Sequence, residues 1–173
     1  SNSGSEFDNC IISNALPAYN PVGINGTGIF ISSSAKLTNS IIANNITGLY
    51  INGNYCPTIT NNKIIQNRRE GIFVYSVYDD KVTISNNVIA NNDTYGIHSY
   101  LTNCSFINNT IVSNGTNPGN SGGFFSQGST SSVVKNNIVW NNGEKAGDQI
   151  KVSSSDNLEV TYNDISGTSS DNK

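Results

Sequence analysis

Apolar positions along this chain come in short, period-two bursts, and no stretch of 11 or more residues follows a helical period. A nine-residue pattern recurs: apolar, any, Asn, Asn or small, any, Ile or Val, two variable positions, then usually Asn. It reads FDNCIISNA from Phe7, LTNSIIANN from Leu37, ITNNKIIQN from Ile59 and ISNNVIANN from Ile84. It continues as FINNTIVSN from Phe106, VKNNIVWNN from Val134 and VTYNDISGT from Val160. The starts are 30, 22, 25, 22, 28 and 26 residues apart, so insertions enter loops while the unit itself stays constant.

A second element follows each copy: Gly, apolar, variable, then apolar or small. It reads Gly28-Ile29-Phe30-Ile31, Gly48-Leu49-Tyr50-Ile51, Gly71-Ile72-Phe73-Val74 and Gly96-Ile97-His98-Ser99, with looser versions at Gly123-Phe124-Phe125-Ser126 and near Ile150 to Val152. The alternation predicts a strand, and the leading Gly is expected to serve a tight bend at positive φ. Two or three short strands per repeat describe a coil that returns above itself, each strand pairing in parallel with its equivalent about 4.8 Å along the axis. A single rung cannot bury its apolar side, so stacking must supply the core.

Equal motif positions then become spatial neighbours. Ile12, Ile42, Ile64, Ile89, Ile111, Val139 and Ile165 are expected to form one internal stack. Phe7, Leu37, Ile59, Ile84, Phe106, Val134 and Val160 should form another. The fourth position, occupied by Cys10, Ser40, Asn62, Asn87, Asn109, Asn137 and Asn163, reads as an Asn ladder at a turn, because Asn donates, accepts and tolerates left-handed backbone. The fold class is therefore all-β: a single-stranded parallel β-helix of about seven rungs over 7–173. Ser1 to Glu6 reads as a disordered or cloning-derived leader.

Composition agrees. Of 173 residues 30 are Asn, while charged residues make up 12%, so uncharged polar groups cover most of the surface. Net charge is −3 and no Lys/Arg run occurs, which argues against a nucleic-acid partner. No apolar run approaches the roughly 20 residues of a membrane span. Cys10, Cys56 and Cys104 match no metal-ligand spacing and are expected to be small buried or half-buried thiols. No cofactor is expected. Asp79-Asp80, placed in a turn beside Lys81, is the nearest thing to a calcium site, and two carboxylates fall short of the six to eight oxygen ligands required.

The phrases NNKIIQN, NNVIANN, NNTIVSN and NNIVWNN, each followed by a Gly-Ile-like strand, resemble the parallel β-helix repeat proteins of the pectin-lyase-like class. The resemblance runs from about Phe7 to Lys173 and implies a right-handed coil; left-handed hexapeptide helices keep a stricter period of about 18 residues. It implies no single activity, since the class holds polysaccharide lyases, glycoside hydrolases, sugar epimerases, tailspikes and non-catalytic surface proteins. The Asn-Thr-Asp, Gly-His-Gly and Arg-Ile-Lys signatures of polygalacturonases are missing. So are the Asp-Pro-His-Glu motif of alginate epimerases and the Arg-rich strands of pectate lyases. No catalytic residue carries over.

Two outward columns are candidates for recognition. Phe30, Tyr50, Phe73, His98 and Phe125 align in one; Ser32, Asn52, Tyr75, Tyr100 and Gln127 align in the next. Aromatic rings beside hydroxyls and amides suit sugars, and the alternative is a loop, domain or subunit covering the stripe. The candidate binding residues are Phe30, Tyr50, Phe73, Tyr75, His98, Tyr100 and Phe125. A compact charged set on the middle rungs, Arg68, Arg69, Glu70 and Asp93 with His98, is the candidate acid–base group, the alignment placing Arg68 against Asp93 and Glu70 against Tyr95.

The expected function is thus engagement of an extended polysaccharide by an extracellular or cell-surface module. The alternatives are a glycoside hydrolase or polysaccharide lyase acting through Arg68, Glu70, Asp93 and His98, and a non-catalytic stalk or adhesin spacer. With motif copies close to both ends, a piece of a longer protein or end-to-end or lateral self-association is also expected.

Overall fold

The computed structural model of the protein describes residues 4–15, 26–117, 121–129, 131–144, 148–153 and 157–166, with the backbone alone described at 76–81. In chain order the strands are β1 (Glu6–Asp8), β2 (Ile11–Ser13), β3 (Thr27–Ile31), β4 (Lys36–Thr38), β5 (Ile41–Ala43), β6 (Thr47–Asn52), β7 (Thr58–Thr60), β8 (Lys63–Ile65) and β9 (Ile72–Ser85). They continue as β10 (Val88–Ala90), β11 (Tyr95–Ile107), β12 (Thr110–Val112), β13 (Gly122–Gln127), β14 (Ser132–Lys135), β15 (Ile138–Trp140), β16 (Ile150–Val152), β17 (Leu158–Thr161) and β18 (Asp164–Ile165).

Each rung has three sides. An entry strand holds the start of the motif, a middle strand holds its Ile or Val, and a glycine-led strand closes the coil. The middle strands form a seven-stranded sheet in the order β18-β15-β12-β10-β8-β5-β2, so seven copies stack and five of them have a copy on both sides. Every pairing within this sheet is parallel and in register: Ile42 lies over Ile12 and under Ile64, and Ile89 between Ile64 and Ile111. The solenoid expected from the repeat is what forms. Glu6 is already part of β1, opposite Lys36, so pairing reaches into the segment assigned to a leader.

Two left-handed residues turn the chain at the ends of the middle strands β2, β5, β8, β10, β12 and β15. The third motif position has φ between 50° and 58° from Asn9 through Asn39, Asn61, Asn86, Asn108 and Asn136 to Tyr162. The eighth has φ between 53° and 61° at Asn14, Asn44, Gln66, Asn91, Ser113 and Asn141. Asn is the non-glycine residue that adopts this region most readily, which explains the Asn at the third position of six of the seven copies. The left-handed corner thus belongs to the residue before the ladder, not to the ladder residue itself.

The fourth-position ladder forms. Asn62 Nδ2 donates to Asn87 Oδ1 above (3.1 Å) and to the carbonyl of Leu37 below (2.9 Å), and the Asn62 backbone N–H donates to the same Asn87 Oδ1 (2.9 Å). Asn87, Asn109 and Asn137 repeat the arrangement, Asn163 continues it, and Ser40 Oγ stands in at the second rung by accepting from Cys10 N–H. A second ladder occupies the ninth position: Asn45, Asn67, Asn92, Asn114 and Asn142, ended by Gln149 Oε1, which accepts from both the backbone and the amide of Asn142 at 3.0 Å. The sequence shows Asn there, but its hydrogen-bonding role emerges only when the corner is seen from inside. Both ladders satisfy backbone groups that a buried corner would otherwise orphan.

The leading glycines have a different cause from the one expected. Gly28, Gly48, Gly71, Gly96 and Gly123 are not among the residues at positive φ. A Cβ on Gly71 would instead lie 2.7 Å from Asn92 Nδ2, 2.7 Å from the Gly96 carbonyl and 2.9 Å from Ile89 Cγ2, and Gly96 is as crowded by Asn114 and Gly123. The second ladder leaves room for hydrogen alone.

The two aliphatic stacks fill the coil. Ile42, Ile64, Ile89, Ile111 and Val139 are fully buried, as are Leu37, Ile59, Ile84, Phe106 and Val134. The stacks open at the ends, where Phe7, Val160 and Ile165 are exposed and Ile12 is half-buried. The turn expected at Asp79-Asp80-Lys81 is instead continuous strand within β9, and those side chains lie outside the described residues. Of the cysteines, Cys104 is buried and Cys10 half-buried, whereas Cys56 is exposed, against expectation. Burial pushes the Cys104 thiol up to about 12, which leaves it protonated.

Candidate functional site

The glycine-led strands carry their inward residues into the core and their alternate residues outward. Register runs Phe30–Tyr50–Phe73–His98–Phe125, and then to Lys151, so the first outward column stands as expected. Successive ring centroids lie 5.4, 5.1, 4.9 and 4.9 Å apart. Tyr50 and Phe73 are within 8° of parallel, so their faces cover each other and mainly their edges point to solvent. Phe30 is tilted 59° from Tyr50 and is 43% exposed.

The second outward column runs Asn52–Tyr75–Tyr100–Gln127. Tyr75 and Tyr100 stack at 5.3 Å and 3°, and Tyr75 also leans against Phe73 at 6.0 Å. Ser32 follows the last residue of β3 and is exposed. Together the columns make a band along the axis, apolar on one side and bearing phenol and amide groups on the other. Lys151 covers one end, with its Nζ 5.7 Å from the Phe125 centroid.

Tyr95 packs beneath this band, 5.4 Å from His98 and 5.2 Å from Phe125. Burial, then the carboxylates of Asp148 and Glu70, raises its phenol above the usual range. Burial lowers the His98 imidazole below its ordinary value, with Glu70 pulling it up and Arg69 pushing it down. His98 Nε2 is buried without a hydrogen-bond partner.

The charged set is dispersed rather than gathered. Glu70 is buried: Oε1 accepts from Arg69 Nη2 at 3.2 Å and Oε2 accepts from Thr47 Oγ1 at 3.1 Å. The Gly71 N–H donates to the Tyr95 carbonyl, which places Glu70 against Tyr95 as the alignment has it. Arg68 and Asp93 each follow a second-ladder Asn and hold equal places in successive rungs, their N–H groups donating to the Asn45 and Asn67 carbonyls. No ion pair joins them among the described residues, and Asp93 Oδ1 instead accepts from Thr116 Oγ1 at 3.3 Å. Of the four, Glu70 and His98 interact electrostatically, while Arg68 is exposed and Asp93 lies at the corner. Sequence reasoning missed Tyr95 as a member of the ring cluster, although its place just before Gly96 is visible in the repeat.

Among the described residues no helix is long and apolar enough to cross a membrane. Neither a curated protein nor a solved structure matches the chain. The family model of the right-handed β-helix region matches residues 1–118, more than half of the 173. With every strand pairing parallel and the repeat closing one coil per motif, this chain belongs to the right-handed parallel β-helix family.

Proposed function

We propose that this chain is a polysaccharide-binding module of an extracellular or cell-surface protein, and that an extended glycan lies along the band beside the aromatic column. The observation that carries the reading is the unbroken run of five rings from Phe30 to Phe125 beside Tyr75 and Tyr100. Four steps of about 4.8 Å give a track of roughly 19 Å, long enough for several sugar residues. Because the inner rings cover each other's faces, the glycan meets ring edges, the face of Phe30, and the Tyr75 and Tyr100 hydroxyls rather than a row of open platforms.

Binding without turnover is favoured by the state of the carboxylates. Glycoside hydrolysis takes two carboxyl groups flanking one bond. Glu70 is enclosed and spent on Arg69 and Thr47, and Asp93 stands in another column at the corner. The test is affinity electrophoresis through a panel of neutral and acidic polysaccharides. A Tyr75→Ala/Tyr100→Ala double variant, checked for folding by circular dichroism, is expected to lose at least tenfold in affinity for the retarding polymer. Equal retardation of the variant and the parent, or retardation by no polymer, would overturn the proposal.

A further inference from the structure

The dipeptide Asn-Gly occurs at Asn25-Gly26, Asn52-Gly53, Asn114-Gly115 and Asn142-Gly143. An asparagine is chemically labile in this setting, because the amide nitrogen of the next residue can close on the side-chain carbon. A glycine there adds no side chain to obstruct the approach and keeps the backbone free to turn. Asn25 lies outside the described residues. The other three pairs share one sequence and have opposite surroundings.

Asn114 and Asn142 belong to the second ladder, are buried, and have both reacting groups occupied. Asn114 Nδ2 donates to Asn142 Oδ1 at 2.9 Å and to the Ile89 carbonyl at 3.0 Å, and its Oδ1 accepts from Asn92 Nδ2 at 2.8 Å. The Gly115 N–H, the would-be nucleophile, donates to the Asn92 carbonyl at 2.9 Å. Asn142 Nδ2 donates to the Ile111 carbonyl at 2.9 Å and to Gln149 Oε1 at 3.0 Å, and the Gly143 N–H donates to the Asn114 carbonyl at 2.7 Å. Ring closure at either pair requires the corner to open first.

Asn52 is held by none of this. It is the last residue of β6, half-buried on the outer face, and the backbone leaves the sheet directly after it. Among the described residues its side-chain amide makes no hydrogen bond, and the Gly53 N–H donates none. Gly53 sits at φ 95° with its carbonyl accepting from the Tyr55 N–H at 3.0 Å, and Asn54 and Tyr55 beyond it are exposed. Electrophile and nucleophile are adjacent, unbound and within reach of water.

We propose that Asn52-Gly53 is a self-modification site at which the folded protein deamidates, and that the ladder protects the same dipeptide at Asn114 and Asn142. The Gly53 nitrogen bonds to Asn52 Cγ and gives its proton to solvent base. The Cγ–Nδ2 bond breaks, and the departing nitrogen takes a proton and leaves as ammonia. Water then opens the cyclic imide at one of its two carbonyls, yielding aspartate or, with the chain rerouted through the side chain, isoaspartate. One water is consumed for each ammonia released. Asn52 stands in register with Tyr75, so the product places a carboxylate in the outer column where the fresh chain has a neutral amide. The site stands whether or not a glycan lies along the band.

The whole chain would be incubated in mildly alkaline buffer made with heavy-oxygen water, then digested and mapped by mass spectrometry. The label marks each carboxyl formed during the incubation. In the folded chain the Asn52 peptide is expected to convert at least about tenfold faster than those carrying Asn114 and Asn142. An isoaspartate methyltransferase should label the Asn52 peptide. In urea the three rates should come within about threefold of one another, since only the fold distinguishes the pairs. Asn52 intact in the folded chain, ladder pairs converting as fast as Asn52, or a gap that survives in urea would each overturn the proposal.

Discussion

Two columns run along the axis, one inside the corner that leads into the glycine-led strands and one on the outer face of those strands. Inside the corner, Asn45, Asn67, Asn92, Asn114 and Asn142 repeat one residue type five times, each buried and the first four passing the same hydrogen bonds to the Asn of the next rung. Outside, Phe30, Tyr50, Phe73, His98 and Phe125 occupy the same register with three different side chains between half-buried and exposed. The difference lies in how directional each interaction is. An amide in a dry corner must present a donor above and below at fixed geometry, and few side chains besides Asn do so at that reach. Ring contacts are weakly directional, with each pair contributing about 0.5–1.5 kcal/mol beyond area, so the outer column tolerates exchange and even the unpartnered Nε2 of His98. The interior column therefore specifies the coil, and the exterior column is where recognition can be written without cost to folding.

The sharpest way to break this contrast is to remove one ladder amide. Asn92→Ala takes away the acceptor of Asn67 N–H and Nδ2 and the donors to the Ile64 carbonyl and Asn114 Oδ1. Each buried group left unsatisfied costs about 1–3 kcal/mol, so a loss of about 3–5 kcal/mol is expected, read as a lower urea midpoint at unchanged m-value. A loss below 1 kcal/mol would mean the ladder is ornamental to stability.

A smaller effect is expected at the glycine that the ladder crowds. Gly71→Ala drives a methyl against Asn92 Nδ2 and the Gly96 carbonyl, and overpacking of this kind costs about 1–3 kcal/mol. Because the backbone there is not at positive φ, the alternative cause, left-handed strain, predicts a different pattern. If strain were the cause, Gly71→Ala in an Asn92→Ala background would be as damaging as alone; the crowding account predicts a smaller increment, measurable as a double-mutant cycle.

The smallest effect should come from the outer column. Burial holds the His98 imidazole below its ordinary value of 6.5, so the unfolded chain binds more protons than the folded one as pH falls from about 6.5 to the lower folded value. Stability should decline across that window and level off below it, since the slope follows the excess of protons on the unfolded state. Thermal unfolding at a series of pH values, for the parent and for His98→Phe, tests this: the substitution should remove the part of the slope between pH 6.5 and the folded value. An unaltered slope would place the titration elsewhere.

How much was legible beforehand follows the same division. Ile64 under Ile89, Asn62 under Asn87 and Tyr50 under Phe73 could all be inferred from the repeat, because a solenoid turns equal motif positions into neighbours at a fixed spacing. The repeat therefore determined the parallel coil, its two aliphatic stacks, one Asn ladder and the register of the outer column. Tertiary structure alone decided what lies at the corners. Whether an Asn faces in or out there depends on two left-handed residues per rung, which is why Asn92 is buried while Asn91 is exposed. The leading glycines answer to the crowding of a ladder from the neighbouring rung, not to their own backbone. Glu70 reads as a surface charge in the sequence, yet it folds inward onto Thr47 one rung below and is neutralised by Arg69 beside it. Periodicity conveys position along the axis, but burial and partner choice at a corner depend on where the chain bends, and that is a property of the closed coil.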